Sequence, residues 1–380
     1  MADKQTINKA AQPDKQGNAK LESPAILDNK AELVELDSKQ MLRQTFDYDR
    51  LCAEGYAEAR KLDVPALGDR LRQIVFCSVG GGPVSSLQLA RSLLADELKL
   101  PVIMHQSHEM PAFVNEHTLV IIANYSGQSE EIVSAYASAQ SKGAQIMVLT
   151  AGEAFRETAA KNGQLCFTIP GGKIPRIVSV SHVLIPVLVI LHRLGLIRDP
   201  GPGIAETIDL FGTLKARYSE DSLTESNPAK QLAIDLHGRV PVIYGTDPFT
   251  ASAAIRFRSQ LAENSKRMAI SSAMSALHHE DAYGWDADED TIRSFHFTLI
   301  RDKEDSARMI RRIEKTSEVL LERNAELTMI DSVGDSRLAR LCSLLYLFDY
   351  ASLYLAFLYG TNPAWSQTIN RFREKYTASS

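Results

Sequence analysis

Apolar residues along this chain fall into short uninterrupted runs, separated by stretches with helical periodicity. Gln73–Cys77 (QIVFC), Val102–Met104, Thr118–Ala123 (TLVIIA), Gln145–Thr150 (QIMVLT) and Leu165–Ile169 are each short and mostly apolar, and several are rich in β-branched residues, so they read as strands. Pro83 opens a helical pattern, SSLQLARSLLADEL, as suits proline in a first helical turn. A second helix runs from about Ser129 to Ser141 and stops at Gly143. Strands without polar alternation, divided by helices, predict a parallel sheet covered on both faces. The pattern then starts again. Val240–Tyr244 is a strand, and Pro248 leads a helix to about Asn264. Phe295–Arg301 and Glu326–Ile330 are strands, with helices over about Ser306–Arg323 and Arg337–Tyr359. The fold class is therefore α/β, with two successive halves that each begin strand, glycine-bearing turn, helix.

Between the halves, Asp199–Asn227 clusters proline, glycine and acidic residues around one amphipathic helix. The expected division is a polar tail and lead-in over 1–40, a first domain over 41–200, a linker with a helix over 201–228, and a second domain over 229–380. The most apolar long stretch, Ile177–Ile197, is interrupted by Ser179, Ser181, His182, Pro186, His192 and Arg193, which favours a buried helix over a membrane span. The N-terminus lacks the apolar core of a secretory signal, so the expected location is the cytoplasm. With 380 residues, 44% of them apolar, the chain can bury two cores. The formal charge of −5 supplies no global basic field for nucleic acid. The 4 cysteines are scattered, with no CxxC or Cys/His cluster, so neither a disulfide scaffold nor structural zinc is expected.

Five stretches could carry chemistry. Ser78-Val79-Gly80-Gly81-Gly82 lies between a strand and a helix, where backbone N–H groups can approach an anion; it is equally readable as a tight turn. It is neither a GxGxxG fingerprint nor a P-loop. Asn124-Tyr125-Ser126-Gly127-Gln128-Ser129 places hydroxyls and an amide at a strand's C-terminal edge, where open α/β sheets bind ligands. Ser129 also reads as an N-cap. Arg176, after Pro175, reads by itself as a surface cation. Glu263 sits near a helix C-terminus, where the dipole disfavours a carboxylate. Burial there would raise its pKa and make it a better proton acceptor, whereas a solvated carboxylate is the plain alternative. His278 and His279 are adjacent and point apart, so they suit an acid/base role for one of them better than a shared metal.

Order and wording together resemble the bifunctional phosphoglucose/phosphomannose isomerase family of the sugar isomerase (SIS) group. The serine-rich phosphate loop of that family matches Asn124 to Ile132, and its glycine turn matches Ser78 to Gly82. Its Pro-Arg pair matches Pro175-Arg176, its Gln-x-Asn-Glu-Asn-x-Lys matches Gln260 to Lys266, and its Leu-Asn-His-Asn-Glu followed by Gly-Trp matches Leu277 to Asp281 and Gly284-Trp285. The resemblance covers about residues 40 to 375. It implies two SIS domains, each a parallel sheet flanked by helices in a flavodoxin-like three-layer sandwich, assembled as a homodimer with a shared active site. It also implies metal-free, cofactor-free aldose–ketose isomerisation of a sugar phosphate, with no nucleic acid or membrane partner. The implied roles are Glu263 as the base between C1 and C2, Arg176 as the cation facing the cis-enediolate, and His279 of a partner subunit in ring opening. Gly80, Gly81, Gly82, Asn124, Ser126, Gln128 and Ser129 would line the phosphate, and Arg373 would take the place of the family's C-terminal lysine.

Several positions depart from the family pattern. Gly82 and Asn124 replace serines, Ser129 a threonine and Ala262 an asparagine; His278 and Glu280 replace the asparagines flanking the histidine, and Arg373 the lysine. Arginine keeps the charge without the compact ammonium geometry. These losses leave two alternatives beside glucose/mannose 6-phosphate isomerisation: a non-catalytic SIS protein that binds a sugar phosphate, or an isomerase of another phosphosugar.

Overall fold

The structure is a computed structural model and describes residues 24–67 and 70–377. The polar N-terminal segment through residue 23 lies outside the described residues. In the first half, β1 (Gln73–Cys77), β2 (Val102–His105), β3 (Thr118–Ala123), β4 (Gln145–Thr150) and β5 (Leu165–Thr168) form one parallel sheet in the order β2-β1-β3-β4-β5. That is the flavodoxin-like order, in which the chain reverses its winding between β1 and β3. Every residue of β3 is buried, as a central strand covered on both faces requires. In the second half, β6 (Val240–Gly245), β7 (Ile270–Ala273), β8 (Phe295–Arg301) and β9 (Glu326–Asp331) form a second parallel sheet, ordered β7-β6-β8-β9.

The strands agree with the apolar runs to within a residue or two, with one omission. β7 reads Ile-Ser-Ser-Ala and was not expected as a strand. It is an edge strand paired only with β6, so it needs neither two apolar faces nor a strong β pattern. The helix after Pro248 also differs from expectation. It is α-helical over Phe249–Gln260, continues as a π-turn over Leu261–Ser265, and ends at Lys266 in the left-handed conformation (φ 57°).

The two halves share one apolar cluster that runs from Ile26 to Tyr359. The helix Arg337–Leu358 forms its centre and packs on the helices Gly201–Tyr218, Pro228–Leu236 and Phe249–Gln260. It is long and apolar enough to cross a membrane by length and composition, yet it is enclosed by protein along its whole apolar length. A helix apolar on all sides belongs in the middle of a large core. The stretch from Ile177 to Leu191 is buried in the same cluster, as its sequence led one to expect.

At the junction of the halves sits a fully enclosed ion pair. Arg256, on the opening helix of the second half, meets Asp349 on the long helix at 3.0 Å, with both side chains at most 5% exposed. Its other donors reach Ser85 Oγ (3.1 Å), Ser179 Oγ (3.0 Å) and the Arg176 carbonyl (3.1 Å), all in the first half. Asp349 also accepts from Tyr48 Oη and from Gln260 Nε2. Removing one member of such a pair leaves an uncompensated buried charge. Arg256→Met should therefore lose about 3–5 kcal/mol of stability, read as a lower denaturant midpoint.

Candidate functional site

Both loops flagged in the sequence leave the first sheet at its reversal point. Ser78–Gly82 follows β1, and Asn124–Ser129 follows β3, its neighbour. Open α/β sheets bind ligands in that crevice. Ser78 Oγ donates to the Ala123 carbonyl at 2.6 Å and ties the two loop bases together. Gly80 and Gly81 hold positive φ values of 66° and 59°, which side-chain-bearing residues rarely adopt. Gly82 has a different constraint. A Cβ there would lie 2.6 Å from Arg176 Cα and 2.8 Å from the Pro175 carbonyl oxygen. The backbone carrying Arg176 occupies the space a serine would need, so the family's serine has no room in this chain.

The serine loop converges on Asn124. Ser126 Oγ (3.4 Å) and Ser129 Oγ (3.3 Å) both donate to Asn124 Oδ1. Ser129 occupies the N-cap position of the helix Glu130–Ser141, but its hydroxyl makes no capping bond. The hydroxyl is turned to Asn124 instead, which leaves the helix N–H groups open to an anion. Asn124 is buried, and its Nδ2 has no hydrogen-bond partner among the described residues. A buried unpaired donor is costly unless a ligand completes it. Ser126 and Gln128 are exposed at the rim, where the Gln128 N–H donates to Ser126 Oγ at 3.2 Å. Tyr125 Oη accepts from Lys173 N (3.0 Å) and lies 2.8 Å from the Lys173 carbonyl, fastening this loop to the segment that leads into Arg176.

Arg176 is not the surface cation that its sequence context alone favours. Its side chain is 14% exposed. Nε donates to Asn264 Oδ1, Nη2 donates to the Pro363 carbonyl at 2.8 Å, and Nη1 faces Glu263 Oε2 at 3.7 Å. That last separation is longer than a hydrogen bond, so each group keeps capacity for a third party. No described residue donates a hydrogen bond to the Glu263 carboxylate. Its Oε1 lies 3.8 Å from where a Cβ on Gly81 would be, so the carboxylate of the second half stands over the glycine turn of the first. Burial lifts the pKa of Glu263 above the usual value, against the opposing pull of Arg176, Arg256 and Lys266. Burial likewise lowers the Lys266 ammonium to about 8, with the Arg176 charge adding to the effect. The π-turn places Glu263 here; such bulges recur at functional sites.

Two predicted site residues are not joined to this cluster. His279 is exposed just beyond the short helix Met274–Leu277, with no contact to Glu263 or Arg176 within the chain. Its neighbour His278 bonds to Thr316 Oγ1 at 2.9 Å. Arg373 falls in the helix Gln367–Thr377, and its side chain lies outside the described residues. The residues that sequence reasoning missed are those behind Arg176, namely Asp349, Gln260 as its partner, and Asn264. One signal was available: Asp349 is the single acidic residue in the apolar helix Arg337–Leu358, and a charge there needs a buried partner.

The corresponding crevice of the second half, between β6 and β8, is chemically different. Its β8 loop reads Asp302-Lys303-Glu304-Asp305, and Arg340 is already neutralised by Asp302 at 2.9 Å. Phosphate would meet carboxylates there. A cavity of about 670 Å³ lies between the helices Gly81–Leu93 and Phe249–Gln260 near Pro248, and Glu263 does not line it. Among the described residues no cluster of three or more His, Cys, Asp or Glu side chains could hold a metal ion.

Comparison with known proteins bears on this geometry. A sequence model of the bacterial phospho-glucose isomerase C-terminal SIS domain matches residues 225–376. The chain is 33% identical to a bifunctional phosphoglucose/phosphomannose isomerase of Caldicellulosiruptor bescii, covering 88% of this chain and 98% of that protein. It is 30% identical to a protein of the same name from Aquifex aeolicus, covering 80% and 89%. Among solved structures, a hypothetical protein from Thermus thermophilus superposes with a TM-score of 0.69 at 15% identity, covering 94% of this chain and 96% of that one, a likeness of fold. This chain belongs to the bifunctional phosphoglucose/phosphomannose isomerase family.

Proposed function

We propose that this protein interconverts glucose 6-phosphate and mannose 6-phosphate with fructose 6-phosphate by metal-free acid–base chemistry through a cis-enediolate. One observation carries the reading: a half-buried carboxylate without a hydrogen-bond partner among the described residues, Glu263, stands 3.7 Å from the Arg176 guanidinium and over the glycine turn of the ligand crevice. Glu263 takes the proton from C2 of the open-chain aldose and returns it to C1. The negative charge that appears on the enediolate oxygens faces Arg176 Nη1, a fixed cation in a site of low polarisability. C2 of the enediolate is planar, and rotation about the C2–C3 bond turns either of its faces toward the same carboxylate, so proton return can yield either epimer. One base thereby serves both hexose phosphates. The phosphate is held by Asn124 Nδ2, Ser126, Ser129, the N-terminus of the helix Glu130–Ser141 and the backbone of Gly80–Gly82. That anchor keeps C1 and C2 under the base.

The reading extends to assembly. His279 is exposed and makes no side-chain hydrogen bond among the described residues, which suits a homodimer in which each protomer lends His279 to its partner's site for ring opening. The cytoplasm, where sugar phosphates are made, is the proposed location; the free, largely buried thiols suit its reducing conditions.

Glu263→Gln should lower kcat by about 10²–10⁴ with little effect on KM, measured in a coupled assay on each hexose phosphate. The active base is the carboxylate, and burial raises its pKa. As pH falls, kcat/KM of the wild type should therefore decline from a point above the ordinary glutamate range of about 4.3. Gly82→Ser, which restores the family's residue, should lower rather than raise turnover. It should also destabilise the fold by about 1–3 kcal/mol, because the Arg176 backbone must move.

A further inference from the structure

Behind Arg176 lies a chain of side chains that the proposed chemistry does not use. Asp349 Oδ1 accepts from Gln260 Nε2 at 2.7 Å. Gln260 Oε1 accepts from Asn264 Nδ2 at 3.1 Å, and Asn264 Oδ1 accepts from Arg176 Nε. Gln260, Asn264 and Asp349 are each at most 4% exposed, so no solvent competes along the line.

The direction of this chain is forced. A carboxylate only accepts, so Gln260 must turn its NH₂ toward Asp349 and its carbonyl toward Asn264. Ser352 gives its one hydroxyl proton to the Asp349 carbonyl oxygen at 2.8 Å. It can therefore only accept from Asn264 Nδ2, which it does at 2.9 Å. Both Asn264 protons are thus engaged, and its carbonyl has one orientation left, toward Arg176 Nε. With Nη2 held by the Pro363 carbonyl, the guanidinium is fixed at two of its three nitrogens, and Nη1 is the one presented to Glu263.

We propose that Asp349, through the oriented amides of Gln260 and Asn264, is the positioning residue that fixes the Arg176 guanidinium against Glu263 and so sets the proton affinity of the base. This rests on the reading of Glu263 and Arg176 as base and cation. The charged groups facing Glu263 are Arg176 from the first half, Arg256 and Lys266 flanking it along its own segment, and Asp349 from the long helix. Of these, Arg176 opposes the effect of burial most strongly. Loosening Arg176 should let the proton affinity of Glu263 rise further.

The test uses Gln260→Met, which keeps the length of the side chain and removes both ends of the amide. Two quantities are read: the acid limb of kcat/KM on fructose 6-phosphate, and the titration of the Glu263 carboxyl by ¹³C NMR, assigned by its loss in Glu263→Gln. The expected result is an upward shift of both, by about half a unit or more, and a fall in kcat of about tenfold, while KM changes less than twofold. A purely structural role would lower thermal stability and leave the titration in place. An unmoved Glu263 titration in folded Gln260→Met overturns the proposal. If the wild type fails to isomerise any hexose phosphate, the functional reading fails while the NMR titration still decides the relay. Asn264→Leu, which removes the acceptor of Arg176 Nε without changing any charge near Glu263, serves as the second variant, with the same upward shift expected.

Discussion

The enclosed ion pair between Arg256 and Asp349 is the constraint on which the rest of the molecule turns. Neither charge can be solvated, so their partners must come from the protein, and for Arg256 the two terminal nitrogens are the ones that are bonded. Arg256 finds its partners in three places: Ser85 behind the glycine turn, the Arg176–Ser179 segment, and the long helix of the second half. Satisfying one guanidinium therefore fixes the glycine turn, the start of the buried helix and the second half in one arrangement. The same groups are the walls of the ligand crevice. A fold assembled from two sheets acquires a single site because Arg256, deeply buried at the junction, belongs to both.

That arrangement separates holding from reacting. The hydrogen bonds of Arg176 go to Asn264 and the Pro363 carbonyl, which are uncharged, and its remaining nitrogen stands off the carboxylate at 3.7 Å. A tighter contact would bind the two reactive groups to each other. A looser one would weaken the strongest of the charges that oppose the effect of burial on the carboxylate. The geometry lies between these limits: the carboxylate feels a cation and remains free to meet a C–H bond. The phosphate end follows the same logic, since the hydroxyls of Ser126 and Ser129 turn to Asn124 and the helix terminus behind them stays uncapped.

Much of this was legible from residue order. Short apolar runs marked all strands except β7, whose Ile-Ser-Ser-Ala carries no pattern because an edge strand needs none. The two loops of the crevice and Glu263 were recognisable as strand-end and helix-end chemistry. What failed to show was depth. Arg176 reads as a surface residue until the fold wraps Pro363, Asn264 and Met41 around it. The π-turn at Leu261–Ser265 reads as ordinary helix, yet the extra residue is what carries Glu263 to the crevice. The steric reason for Gly82 depends on Pro175 and Arg176, far along the chain, which no local pattern encodes. Long-range contacts of this kind decide the site, whereas periodicity decides only the elements that carry it.

The claim that Glu263 moves the proton is tested most directly by hydrogen exchange at the substrate. Glucose 6-phosphate is incubated with the enzyme in D₂O, and loss of its C2 proton signal is followed by ¹H NMR. The wild type should wash deuterium into C2 as it turns over, and Glu263→Gln should leave that proton in place at equal enzyme concentration. Exchange by the Gln variant at the wild-type rate would contradict the assignment and give the base to another group.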